Sequence, residues 1–301
     1  MLLYWIYRHA FRVDPKRLAA DDEVPNEDKH KEYANDVRKR IKMIQETPFE
    51  EMKIMARDGV ELYGRYYRRV DGAPIVLMFH GYRSSCLRDG MGAFRFTEEN
   101  GYNILMVDQR AHRNSGGKTI TFGVKERYDC LDWILHLNKT FGADRKMILI
   151  GLSMGASTVL MASELDLPGN VVGVIADCGY SSPKEILKSV IKGMKLPPKL
   201  VYPLVRMSAR LYGHFDPDSA SATEALKHAK IPVLMIHGED DSFVPCEMSR
   251  MNYDACASEK EILIIPGADH GMSYVIDRET YVERFVGFLN KHFEKQVNDD
   301  V

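Results

Sequence analysis

Short apolar runs at positions 75–79, 104–107, 147–150, 171–176, 233–236 and 262–265 punctuate this chain and read as buried strands. Most are separated by stretches of helical periodicity, notably 125–141, 154–165 and 274–293. Strands that alternate with amphipathic helices predict an α/β architecture, a mostly parallel sheet with helices on both faces. Right-handed crossovers would then bring the C-terminal ends of the strands to one edge, where loops can assemble a site.

The segments outside this rhythm divide the chain further. Runs at 52–55 and 60–67, joined across Arg57-Asp58-Gly59, predict an antiparallel hairpin on an Asp-Gly turn. Ahead of it, positions 13–45 are crowded with charge and read as a helical or loosely ordered lead-in with no core of its own. The first residues, MLLYWIYRHAFRV, are apolar but interrupted by Arg8 and His9, far short of the roughly 20 residues that span a bilayer. They also lack a cleavage signal. A helical face of Leu2, Leu3, Ile6 and Ala10 is expected to pack on its own domain, with membrane-surface contact as the alternative. Positions 179–230 hold no comparable buried run and are expected to form an inserted helical lid, an apolar wall above a pocket. The expected parts are a lead-in at 1–48, a core at 49–178 and 231–295, the lid at 179–230 and a tail at 296–301.

Composition narrows the function classes. A formal net charge of −2 offers no basic field for phosphate backbones, and no zinc-type Cys and His spacing occurs, so nucleic acid is a poor candidate partner. Cys86, Cys130, Cys178, Cys246 and Cys256 are odd in number and include no CxxC pair. They read as reduced thiols of a cytoplasmic protein, with peripheral membrane contact as the alternative location. No metal site or cofactor is indicated.

Chemistry concentrates at the strand ends. Gly151, Ser153 and Gly155 form Gly-x-Ser-x-Gly where the 147–150 strand gives way to a helix, a context that exposes a serine hydroxyl on a sharp turn. Serine is a weak nucleophile and needs a base, which in turn needs an anion to hold its tautomer. Two later loops offer both: His237-Gly-Glu-Asp-Asp-Ser-Phe-Val-Pro245, and Pro266-Gly-Ala-Asp-His-Gly271. Ser153, Asp241 and His270 are the expected nucleophile, orienting acid and base. Asp240, Asp177 and Asp269 compete with Asp241, Asp177 most seriously because it also ends a strand. His80 and His237 precede glycines at strand ends, where hydrogen bonds to loops are the expected role. After the first central strand, His80-Gly-Tyr-Arg83 places a backbone amide at Tyr82 opposite that of Met154, the expected oxyanion donors. The Tyr82 ring and Arg83 are candidates to line the substrate entrance.

These motifs, in order HGY at His80, DQRAH at Asp108, GLSMG at Gly151, ADCGYSSP at Ala176, HGEDDSFVP at His237 and GADHG at Gly267, resemble the α/β-hydrolase superfamily, in particular its bacterial esterase and serine-aminopeptidase-like branch. The resemblance runs from about 50 to 293 and implies the α/β-hydrolase fold with a variable lid. It implies a small-molecule acyl ester substrate, cleaved through an acyl-enzyme on Ser153, with no cofactor. A peptidase or amidase using the same three residues is the first alternative; a ligand-binding module of negligible turnover is the second. Arg113 departs from the branch, whose loop commonly carries glycine after the histidine.

Overall fold

The computed structural model describes residues 1–13, 18 and 31–294. Eight strands form one sheet: β1 (Glu50–Met55), β2 (Glu61–Tyr67), β3 (Ile75–Phe79), β4 (Asn103–Asp108), β5 (Met147–Leu152), β6 (Val171–Asp177), β7 (Val233–Gly238) and β8 (Lys260–Ile265). Their order is β1-β2-β4-β3-β5-β6-β7-β8. The β1–β2 and β2–β4 pairs are antiparallel and all others parallel. The hairpin turns where the sequence places it, with Gly59 at φ 83°, a conformation that glycine adopts without a Cβ penalty. Every residue of β3, β4 and β7 is buried, as a sheet covered on both faces requires.

The helices are α1 (Leu2–Ala10), α2 (Lys31–Glu46), α3 (Cys86–Asp89), α4 (Met91–Asn100), α5 (Glu126–Phe141), α6 (Met154–Ala162), α7 (Pro183–Gly193), α8 (Pro198–Ser208), α9 (Ala222–Leu226), α10 (Glu247–Ala255), α11 (Ser273–Ile276) and α12 (Arg278–Glu294). Helices α1 and α5–α10 pack on one sheet face; α2–α4, α11 and α12 pack on the other. The single periodic stretch expected at 274–293 is broken at Asp277, whose carboxylate accepts from the Thr280 amide at 3.1 Å and so starts α12 afresh.

The charged lead-in is helical where it is described and has no core of its own, yet it docks firmly on the sheet. Its described part is α2, and Ala34, Val37, Ile41 and Ile44 are buried in the core shared with Phe94 and Tyr67. Spacings of three and four residues put them on one helical stripe, while the charges occupy the rest of the circumference. Burial of Val37, Ile41 and Ile44 stabilises by roughly 1.5–3 kcal/mol each relative to exposure, which is why so charged a segment docks. The remainder of the lead-in and the 296–301 tail lie outside the described residues.

Helix α1 packs on its own chain, with Ile6 and Ala10 of the expected face half-buried against the core and Tyr7 and Phe11 carrying the deepest contacts. Tyr7 and Phe11 are buried, while Leu2 and Trp5 are exposed. Phe11 meets Phe122 and Phe215 edge-on, and the Tyr7 hydroxyl pairs with Thr119 Oγ1 at 2.7 Å. Among the described residues, no helix is long and apolar enough to cross a membrane. The excursion between β6 and β7 contains α7, α8, a wide turn at Ala209–Gly213 and α9, and α8 packs against α1.

Candidate active site

The turn between β5 and α6 places Ser153 at φ 54° and ψ −113°, a conformation that L-residues adopt only under constraint. The constraint is visible. Ser153 N donates to Asp177 O at 2.8 Å, and Ser153 O accepts from Ser157 N at 3.0 Å. The flanking glycines are required by contact: a Cβ on Gly155 would lie 2.1 Å from the Phe79 carbonyl oxygen, and one on Gly151 would lie 2.2 Å from the Gly155 backbone.

Sheet order brings the β7 and β8 loops to this turn. His270 Nδ1 donates to Asp241 Oδ2 at 2.6 Å, which leaves Nε2 as the acceptor for the Ser153 hydroxyl at 3.0 Å. Asp241 Oδ1 accepts from the amides of Phe243 at 2.9 Å and Val244 at 2.7 Å. Burial acts to raise the Asp241 pKa, but hydrogen bonds from His237 and His270 outweigh it and hold the carboxyl well below its ordinary value. It is therefore ionised at neutral pH.

The rival acids are sorted by geometry. Asp269 Oδ1 accepts from the His270 amide at 2.8 Å and from Ser242 N and Oγ at 3.0 and 2.9 Å, stapling the two loops together. Asp240 is exposed. Asp177 is buried with Oδ1 unpartnered, and its carboxyl is pushed up to about 6 by burial, against the opposing pull of His237, Tyr281 and His270. His237 was expected only to brace a loop. It is fully buried, its Nε2 donates to Val244 O at 2.9 Å and lies 3.2 Å from Asp241 Oδ2, and its Nδ1 pairs with Ser249 Oγ at 2.6 Å. A carboxylate four residues after a strand-ending histidine was the only signal of this role.

The loop after β3 is held from below. Asp89 Oδ2 accepts from the Gly81 amide at 2.7 Å. His80 donates through Nδ1 to Gly81 O at 2.8 Å and accepts the Gln109 amide on Nε2 at 3.0 Å. His112 donates to Arg110 O at 2.9 Å and accepts the Arg83 amide at 3.0 Å. Both rings work as neutral imidazoles, and burial pushes His80 down to about 4 and His112 down to about 3. Arg110 reaches Asp58 at 2.8 Å and Asp129 at 2.6 Å, which fixes the DQRAH loop to the hairpin and α5. Arg113 sits at φ 46°, in the left-handed region that favours the glycine common in the resembling branch.

The Tyr82 and Arg83 side chains point toward the N-terminus. Tyr82 donates its hydroxyl to Ala10 O at 2.8 Å while its ring stacks on Phe122 at 5.1 Å. Arg83 Nη2 donates to His9 O at 2.6 Å. They satisfy carbonyls at the C-terminal end of α1, where helix geometry leaves acceptors unpaired. Met154 opens α6, where the amide has no intrahelical acceptor.

Ser153 and His270 open on a cavity of about 250 Å³. Tyr82 lines it and Arg83 does not. Its apolar wall comes from Val37, Met91, Ile150, Met272, Val275 and Phe285, with Asp89 and Asp177 at its polar parts. No residue of 179–230 lines this cavity, so the apolar wall expected there is supplied by α2, α4, α11 and α12. Among the described residues, Cys178, Asp241 and His270 converge closely enough to ligate a metal, but the buried thiol is held protonated, a poor ligand, and the other two bond each other.

Comparisons with known proteins agree with this architecture. The model of the alpha/beta hydrolase family matches residues 76–284. The uncharacterized protein YqkD of Bacillus subtilis (strain 168) is 27% identical over 265 residues, covering 86% of this chain and 85% of that protein. The Pyrococcus furiosus esterase Pf2001 matches in structure with a TM-score of 0.66 at 25% identity, over 82% of this chain and 93% of that one. Est1E of Butyrivibrio proteoclasticus, solved with ferulic acid, shares the fold with a TM-score of 0.64 at 19% identity, over 81% and 100% of the chains.

Proposed function

We propose that this chain, which belongs to the alpha/beta hydrolase family, is a carboxylesterase that cleaves short or medium acyl esters through Ser153, His270 and Asp241. The observation that carries the reading is the continuous hydrogen-bond chain from Asp241 through His270 to Ser153 at the mouth of a cavity. His270 accepts the Ser153 proton as the hydroxyl oxygen attacks the ester carbonyl. The carbonyl oxygen then carries the charge, and the Tyr82 and Met154 amides stabilise it; loss of one such donor costs about 10²- to 10³-fold in turnover. His270 passes the proton to the departing alcohol, and water, deprotonated by the same imidazole, releases the acid from Ser153. Asp241 keeps Nδ1 protonated throughout and stabilises the imidazolium between the two transfers. The likeness to Pf2001, an esterase by name, supports an ester rather than an amide substrate.

The test is fluorophosphonate labelling of wild type and Ser153→Ala, followed by p-nitrophenyl esters of increasing acyl length. Labelling confined to wild type, with turnover that falls on the order of 10⁶-fold in Ser153→Ala, is expected. A variant that labels or hydrolyses at the wild-type rate would overturn the assignment.

A further inference from the structure

The cavity beside Ser153 is mostly apolar but is lined by two carboxylates of different standing. Asp89 is accounted for, since it accepts from the Gly81 amide at 2.7 Å and pairs with Arg88 at 3.1 Å. Asp177 is not. It is 3% exposed, lines the same cavity, and its Oδ1 has no hydrogen-bond partner among the described residues. The charge of His237, a hydrogen bond from Tyr281 to the carboxylate and the charge of His270 oppose the effect of burial, while Oδ1 stays without a partner. Nor does Asp177 bond the imidazole of His270, whose Nδ1 is taken by Asp241. Buried polar atoms in native proteins are satisfied as a rule, and an unsatisfied one beside a reactive serine is explained by a donor that arrives with the ligand.

We propose that Asp177 is a specificity-determining residue whose unpartnered oxygen receives a hydrogen-bond donor, a hydroxyl or a protonated amine, carried on the acyl chain of the substrate. The inference deepens the esterase reading and rests on it for the reaction, although binding at Asp177 is measurable without turnover. The apolar wall of Ile150, Met272, Val275 and Phe285 accommodates the methylenes between ester and donor. A plain alkyl chain of the same length leaves the oxygen unpaired, and a site built to pair a polar group discriminates strongly against an analogue that lacks it.

The experiment compares kcat/KM for p-nitrophenyl esters of alkanoic, ω-hydroxyalkanoic and ω-aminoalkanoic acids from three to eight carbons. Wild type, Asp177→Asn and Asp177→Leu are run side by side. Wild type is expected to prefer one hydroxy or amino ester over its plain counterpart by about 10- to 100-fold at a single best chain length. Asp177→Leu removes both preferences. Asp177→Asn removes the preference for the amine and keeps part of that for the hydroxyl, because a carboxamide oxygen still accepts. Because each ratio is taken within one variant, a general loss of turnover cancels. In parallel, thermal stabilisation of Ser153→Ala by ω-hydroxyalkanamides is compared with that by plain alkanamides, with and without Asp177→Leu. Equal stabilisation by the two ligand sets, or a wild-type preference that survives Asp177→Leu, would overturn the subsite. Selective stabilisation without turnover of any ester would instead keep the subsite and overturn the esterase reading.

Discussion

Replacing Asp177 with asparagine should stabilise the protein in a pH-dependent way. Burial raises the folded-state pKa of Asp177 from 3.8 to about 6, so at neutral pH the fold carries a charge that the unfolded chain solvates more readily. A carboxyl raised on folding binds its proton more tightly in the native state. Native stability therefore increases as pH falls through 6 toward 3.8, and decreases as pH rises through that window. The shift of about two units corresponds to about 3 kcal/mol at pH 8, of which about 2 kcal/mol is recovered on acidification to pH 4.5. Asparagine carries no charge at either pH. Any constant cost of fitting the carboxamide cancels in the difference between the two conditions. Urea unfolding of wild type and Asp177→Asn at pH 8 and pH 4.5 measures it directly. The variant should gain about 2 kcal/mol more over wild type at pH 8 than at pH 4.5. A difference that is flat or runs the other way would show that burial does not outweigh the partners of the Asp177 carboxylate. The effect would also weigh a stability cost against the ligand role inferred for this oxygen.

Asp241→Asn leaves the shape of the acid loop but offers His270 an amide in place of an anion, so turnover should fall by about 10⁴-fold with KM little changed. Steady-state kinetics on a p-nitrophenyl ester checks it, and a loss below tenfold would point to another acid. Tyr82→Phe removes the 2.8 Å bond to Ala10 O, worth about 1 kcal/mol, so amides of α1 should exchange with solvent about fivefold faster. Unchanged exchange across residues 2–10 would mean that the contacts of Phe11, Tyr7 and Arg83 hold α1 without this bond.

Much of the architecture was legible because strands buried on both faces leave a local mark, an uninterrupted apolar run bounded by polar turns, and six of the eight strands carry it. The β5–α6 turn was legible for a similar reason. Gly151 and Gly155 are demanded by backbone contacts within a few residues and with the adjoining β3, so the requirement is written into the pentapeptide. The α2 stripe is hard to read in the sequence because four apolar residues in a highly charged helix barely move the composition, and it is packing with residues such as Phe94 and Tyr67 that turns them into a core face.

The sequence by itself determined which residues could do chemistry and at which strand ends they stand, since a serine between close-packed glycines and a histidine or acid after an apolar run are local facts. Tertiary structure alone decided who meets whom. Ser153 and His270 are 117 positions apart, and their 3.0 Å contact depends on β8 lying at the sheet edge beside β7. The same placement gave His270 to Asp241, made His237 a partner of that acid, left Asp177 Oδ1 without a partner, and assigned the cavity wall to α2, α4, α11 and α12 rather than to 179–230. Hydrogen bonds and burial act over a few ångströms in space, and no pattern along the chain measures that distance.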